Sequence, residues 1–204
     1  MRSGAACAAD TELFSILRSV RKKVADSLNL PPYIIFQEPS LEAMATTYPV
    51  TVDELANIPG VGAGKARRYG ATFVDVIRRH VEANDIQRPE DLVVRTVANK
   101  SKVKISIIHA IDRKIPLDEI ARSKGMSLTE LMDEIEAILN SGTKININYH
   151  INELLDDEQQ EDLFDYFRES DTGDLEEAYS ELSDEYNEEE IRLMKIKFIA
   201  EMGY

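Results

Sequence analysis

The sequence predicts a mainly α-helical protein, and three observations carry that prediction. Apolar residues recur every three or four positions through most of the 204 residues. Ser or Thr stands three residues ahead of Glu at two places where such a run begins. Proline and glycine cluster mostly between the periodic runs, where helices stop and turns form. Leu13, Leu17, Val20, Val24 and Leu28 make the first stripe, with Arg18, Lys22 and Lys23 off it, so an amphipathic helix is expected. "LPPYIIF", residues 30–36, follows; its two prolines end that helix and favour extended backbone. The aromatics of this segment are either core plugs or an exposed platform. Ser40 is placed to cap a short helix bearing Leu41, Met44 and Ala45 that ends before Pro49. Thr51 and Glu54 have capping-box spacing, which predicts a helix from Val52 that turns Leu55 and Ile58 inward and stops at Pro59-Gly60. Ala66, Tyr69, Phe73, Val76, Ile77 and Val81 then predict a further helix.

The stretch "NIPGVGAGKARRYG", residues 57–70, thus joins two helices. Its spacing excludes the common nucleotide loops. Three residues stand between Gly60 and Gly64 where a P-loop needs four, Ala66 follows Lys65 where a Ser or Thr should bind the metal, and a helix-like stretch precedes it. Two helices meeting through Gly-x-Gly form a helix-hairpin-helix, whose backbone N–H groups at the second helix's start can hold a phosphate oxygen. Gly60, Gly62 and Gly64 supply that turn, with Lys65, Arg67 and Arg68 directly after it. The plainer alternative is that Gly60 and Gly62 only provide positive φ and the cations form a solvated face.

After the polar stretch 84–91, Val103, Ile107, Ile108 and Ile111 predict one helix, and Pro116 opens a second with Ile120 and Ala121 inside. Ser127 and Glu130 repeat the capping-box spacing before Leu131, Met132, Ile135, Ile138 and Leu139, and Gly142 ends that third helix. "KININYHI" alternates strictly, with Ile145, Ile147, Tyr149 and Ile151 on one face, and predicts a terminal strand. Three helices and that strand make a helix-turn-helix with a wing-like edge. Its third helix presents Glu130, Asp133, Glu134 and Glu136, which a polyanion would repel, so major-groove reading by this helix is not expected. Lys100, Lys102, Lys104, Arg113 and Lys114 form a separate basic group, for which plain solubility is the default explanation.

Charge is distributed unevenly. Residues 1–87 hold 10 basic and 10 acidic side chains, 88–150 hold 10 and 9, and 151–204 hold 4 and 19, so nearly all of the net charge of −14 lies in the last quarter. That quarter still carries Leu163, Phe164 and Phe167, then Ile191, Met194, Phe198 and Ile199, at helical intervals, unlike a disordered acidic tail. Short helices docked on the preceding module are expected, either as a solvated acidic surface or as a regulatory or partner-binding element. The acidic group Asp156, Asp157 and Glu158 lacks calcium-loop spacing, one cysteine cannot form an internal disulfide, and three scattered histidines give no zinc pattern. No catalytic or metal-binding residue is assigned. No apolar run approaches a membrane span, and a reducing, cytoplasmic, nucleoid-associated setting is expected.

The order of amphipathic helix, "PPYIIF", "SLEAMATTYPVT", "ELANIPGVGAGKARRYG" and "FVDVIRRH" resembles the HRDC domain, the helicase-and-RNase-D C-terminal module, over about Asp10 to Ala83. The resemblance implies a small all-helical bundle with modest affinity for single-stranded DNA. It places nucleic-acid contacts at Arg21, Lys22, Lys23, Tyr33, Lys65 and Arg68, with Tyr33 either stacking on a base or buried with its hydroxyl satisfied. The second module, with "IDRKIPLDEIARSKG", is similar to the helix-turn-helix extension of bacterial RecQ helicases. The organisation read from the sequence is an HRDC domain at 10–84, a linker at 85–102, a helix-turn-helix module with terminal strand at 103–151, and an acidic helical extension at 152–204. The resemblance implies an accessory DNA-binding region of a 3′–5′ helicase active in DNA repair and recombination, touching single-stranded or junction DNA. It implies no cofactor in this chain, ATP and Mg²⁺ belonging to a motor domain, and a protein partner or that motor at the acidic end. The alternative is a protein-interaction scaffold without DNA affinity, and catalysis by this chain alone is not expected.

Overall fold

A computed structural model describes residues 9–86, 88 and 98–203, for 98–101 the backbone alone. These residues form twelve helices and, among them, no strand. The chain divides into two compact units, Met1–Val94 and Arg95–Tyr204.

The first unit holds α1 (Thr11–Leu28), α2 (Pro32–Ile35), α3 (Glu38–Thr47), α4 (Val52–Leu55) and α5 (Ala63–Ala83). Asp10 caps α1 by accepting from the Leu13 N–H at 2.9 Å, and its other oxygen lies 2.9 Å from His80 Nε2 near the end of α5. Burial alone would raise the Asp10 carboxyl's pKa, but the bonds from Leu13 and His80 outweigh it and hold the carboxyl below its ordinary value. The start of α1 is thereby tied to the last turn of α5. The buried row of α1 is Leu13, Leu17, Arg21 and Ala25. Val20 and Val24 sit at its edge and Leu28 is 47% exposed, so the inward stripe follows four-residue steps and includes the cation Arg21.

Two local expectations are corrected. The Pro-Pro segment is not extended throughout: Pro32 occupies the first position of the one-turn helix α2, where a missing N–H costs nothing. Ser40 is not a cap. Helix α3 begins at Glu38, and the buried Ser40 hydroxyl donates to the Pro59 carbonyl at 2.8 Å, underneath the glycine turn. Phe36, fully buried, anchors the core with its ring edge-on to Phe73 at 4.9 Å and to Tyr69 at 6.3 Å.

The second unit holds α6 (Ala98–Asp112), α7 (Leu117–Lys124), α8 (Leu128–Asn140), α9 (Asn148–Leu154), α10 (Asp157–Glu169), α11 (Leu175–Leu182) and α12 (Glu188–Met202). The Ser127–Glu130 capping box starts α8 as expected. The strand expected over 144–151 is absent. Residues 143–147 run without regular structure into α9, which the Asn146 side chain helps to start by accepting from the Asn148 N–H at 2.9 Å. A strand needs a partner ladder, and no other described segment is extended to provide one. Ile147 and Ile151 remain buried together because a spacing of four also falls on one face of a helical turn. The module is therefore helix-turn-helix without a wing among the described residues.

Residues 152–204 complete the second unit's core. Helix α12 packs against α8, α9, α10 and α11, and Ile191, Leu193, Met194, Ile196, Phe198 and Ile199 are all buried. Phe198 meets Phe164 of α10 at 4.8 Å. Each of α10, α11 and α12 is capped by a side chain, from Asp156, Asp174 and Asn187 respectively, so three N-terminal helix turns use acidic or amide residues that composition alone would count as tail.

Candidate nucleic-acid interface

Helix α4 and helix α5 form the expected hairpin. Gly60 alone of its glycines has positive φ, at 78°; Gly62 is the extended N-cap of α5 at φ −94°, which corrects the expectation that both turn left-handed. A Cβ on Gly60 would lie 2.6 Å from Ser40 Oγ, and one on Gly70 would lie 2.6 Å from Leu55 Cδ2, so two glycines set how closely α4 and α3 approach the start of α5. Gly60 and Gly64 are exposed and Gly62 is half-buried. The N-cap of α5, Gly62, has no side chain to cap the first-turn amides, and Arg67 and Arg68 follow in the same helix start.

Three of the ten assigned residues point inward, and each is a correction. Lys65 is 3% exposed, and its Nζ donates to the Ile34 carbonyl at 3.0 Å. Burial lowers its pKa to about 8. Arg21 is 8% exposed; it donates to the Phe36 carbonyl at 2.9 Å and pairs with Glu38 at 2.7 Å. The two cations thus take the carbonyls of Ile34, in the last turn of α2, and of Phe36, its C-cap, because a four-residue helix cannot satisfy its own last acceptors. Tyr33, on α2 itself, is 5% exposed, and burial pushes its hydroxyl's pKa up; it offers no stacking face.

The remaining cations divide by partner. Lys22, Lys23, Arg67 and Arg68 are exposed, and Arg68 lies 5.2 Å above the Tyr69 ring. Lys22, Lys23 and Arg67 take part in no ion pair among the described residues, whereas Arg18 is engaged with Glu38 at 3.1 Å. Arg79 is exposed too, eleven residues after Arg68 and so on the same face of α5.

In the second unit the carboxylates of α8 are committed elsewhere. Arg192 of α12 pairs with Glu136 at 2.8 Å and also with Asp133, while Glu130 accepts from the Ser127 N–H at 2.7 Å in the capping box. Helix α12 thereby neutralises Asp133 and Glu136 of the would-be recognition helix, while Asp133 and Glu130 stay exposed. Of the other basic group, Lys102, Arg113 and Lys114 are exposed and Lys104 is half-buried; the side chain of Lys100 lies outside the described residues. No group of three or more His, Cys, Asp or Glu that could hold a metal occurs among the described residues, and no described helix is long and apolar enough to cross a membrane.

The first unit is a helical bundle closed by this hairpin, and the second is a helix-turn-helix without a wing among the described residues. Residues 10–77 match the family model for the HRDC domain and residues 101–151 that for the RecQ-1-like, helix-turn-helix domain, so the chain carries these two domains. It is 42% identical over 71 residues to the ATP-dependent DNA helicase RecQ of Haemophilus influenzae, covering 35% of this chain and 12% of that protein. Against the enzyme of the same name from Bacillus subtilis it is 38% identical over 81 residues, 40% of this chain and 14% of that one. Against the mouse bifunctional 3′-5′ exonuclease/ATP-dependent helicase WRN it is 27% identical over 137 residues, 59% of this chain and 10% of that one. The chain matches about an eighth of the length of the bacterial relatives. Neither matched domain holds a nucleotide loop: the glycine turn at 60–64 joins helix to helix, with no strand before it.

Proposed function

We propose that this chain is the accessory region of a RecQ-type ATP-dependent 3′–5′ DNA helicase that serves repair and recombination in the cytoplasm, ATP and Mg²⁺ acting in a separate motor domain. Its first unit makes weak, non-specific contacts with DNA, single-stranded or at junctions, that tune which substrates the motor engages. The observation that carries this reading is the coincidence, at one end of α5, of first-turn amides without a side-chain cap and the exposed pair Arg67 and Arg68. The contacting set is Lys22, Lys23, Gly60, Gly62, Gly64, Arg67 and Arg68. The test is fluorescence anisotropy of a labelled oligonucleotide across a salt series. Arg67→Glu plus Arg68→Glu should weaken binding at least tenfold and flatten the salt dependence; unchanged binding removes the hairpin from the mechanism.

The second unit supports a different role, as a protein-facing module. Three of the four carboxylates of its third helix are drawn into Arg192 and a capping box, while α10 and α11 turn Asp157, Glu158, Glu161, Glu176 and Glu177 to solvent. A surface of that sign repels DNA and suits a basic partner or the motor domain.

A further inference from the structure

We propose, resting on the DNA-contact reading above, that the first unit grips the sugar–phosphate backbone alone and engages no base. Single-strand binders gain most of their preference for unpaired nucleic acid from aromatic rings on which bases stack. All six Phe and Tyr residues of this unit are described, and none offers a ring for that purpose. Phe36 and Phe73 are fully buried against each other. Tyr33 and Tyr69 are buried too, and Tyr69 has the Arg68 guanidinium over its face. The two half-buried rings are already attended: Arg18 lies 6.0 Å over Phe14, and the Tyr48 hydroxyl is 3.4 Å from the Asp10 carboxylate, a charge that repels phosphate.

Four exposed cations lie close in sequence to two buried ones. Arg21 and Lys65 hold Phe36 O and Ile34 O, two residues apart in one short segment. Lys22 and Lys23 directly follow the first of these cations, and Arg67 and Arg68 lie within one helical turn of the second. Two exposed pairs of positive charge are thus next in sequence to the cations that hold this segment, and the first turn of α5 adjoins one pair. Such a surface recognises spaced anionic charge and is indifferent to base identity.

The experiment compares, with the full chain, anisotropy titrations of fluorescein-labelled dT15 and of a 15-mer carrying abasic tetrahydrofuran residues on the same backbone. The proposal expects affinities equal within about threefold, both lost when Lys22, Lys23, Arg67 and Arg68 are changed to Glu in a chain whose circular dichroism is unchanged. A stacked base contributes about fivefold or more in affinity. Abasic binding weaker by that factor overturns the backbone-only proposal and leaves DNA contact standing. Absence of binding to either oligonucleotide overturns the DNA-contact reading itself. Equal binding that survives the charge reversal overturns the assignment to these four residues.

Discussion

Lys65 Nζ donates to the carbonyl oxygen of Ile34 across 3.0 Å, inside the first unit. Reaching from the first turn of α5 to the last turn of α2, this bond turns a residue of an apparently phosphate-binding motif into an internal cap. Its burial sets the sign of a pH effect. With a pKa of about 8 folded against 10.5 for the ordinary side chain, the folded state binds fewer protons than the unfolded state between those values. Stability should therefore rise with pH through that window, by up to about 3 kcal/mol from this group. Denaturant midpoints at pH 7.5 and pH 10, compared with those of Lys65→Met, isolate the effect, since the variant lacks the titrating amine. Parallel pH dependences would refute it. Lys65→Glu, which sets an acceptor against an acceptor, should lose about 3 kcal/mol or more at pH 7.

Neighbours in sequence separate just as sharply at Arg21 and Lys22. Arg21→Ala removes the donor to Phe36 O and half of the cations facing Glu38, and should destabilise the first unit by about 2–4 kcal/mol. Lys22→Ala should stay within about 0.5 kcal/mol while weakening DNA binding. Thermal melts and anisotropy on the two variants give the readout. A stable Arg21→Ala protein with lost DNA binding would return Arg21 to the surface site.

Among the hairpin glycines, Gly60 and Gly64 should respond oppositely to alanine. Gly60→Ala meets a left-handed φ of 78° and the Ser40 hydroxyl, and should cost about 1–3 kcal/mol. Gly64 lies in the first turn of α5 and is exposed, so Gly64→Ala should be neutral or gain up to about 1 kcal/mol. Urea unfolding of both variants distinguishes a turn constraint from general sensitivity of the loop.

Removing residues 152–204 should unfold the second unit instead of detaching a tail. Helix α12 is buried along most of its length and supplies the Arg192 that neutralises Asp133 and Glu136. The truncated chain should show one cooperative transition, from the first unit, where the full chain shows the contributions of both. Arg192→Glu should lower the second unit's stability by about 3 kcal/mol or more, leaving the first unchanged. Differential scanning calorimetry resolves the two. For the same reason partner binding by the acidic helices is best probed by reversing Glu176 and Glu177, both exposed in the first turn of α11, with the chain left whole.

Much of this architecture was legible in the chain itself. Periodicity placed Leu13 and Leu17, Phe73 and Ile77, Ile135 and Leu139 in helix cores, and the Ser127–Glu130 spacing marked the start of α8, because these depend on residues within one or two turns of each other. The alternation of Ile145, Ile147, Tyr149 and Ile151 misled, since whether it becomes a strand depends on a partner ladder elsewhere. The division of cations at the hairpin was not legible at all. Nothing local distinguishes Arg21 from Lys22 or Lys65 from Arg67; what separates them is that a four-residue helix, brought between α1 and α5 by packing, has carbonyls that need donors. Sequence alone determined helices, caps and the turn, while tertiary structure decided which positive charges serve the fold and which remain for a polyanion, because satisfying buried acceptors is a demand that arises only once distant segments meet.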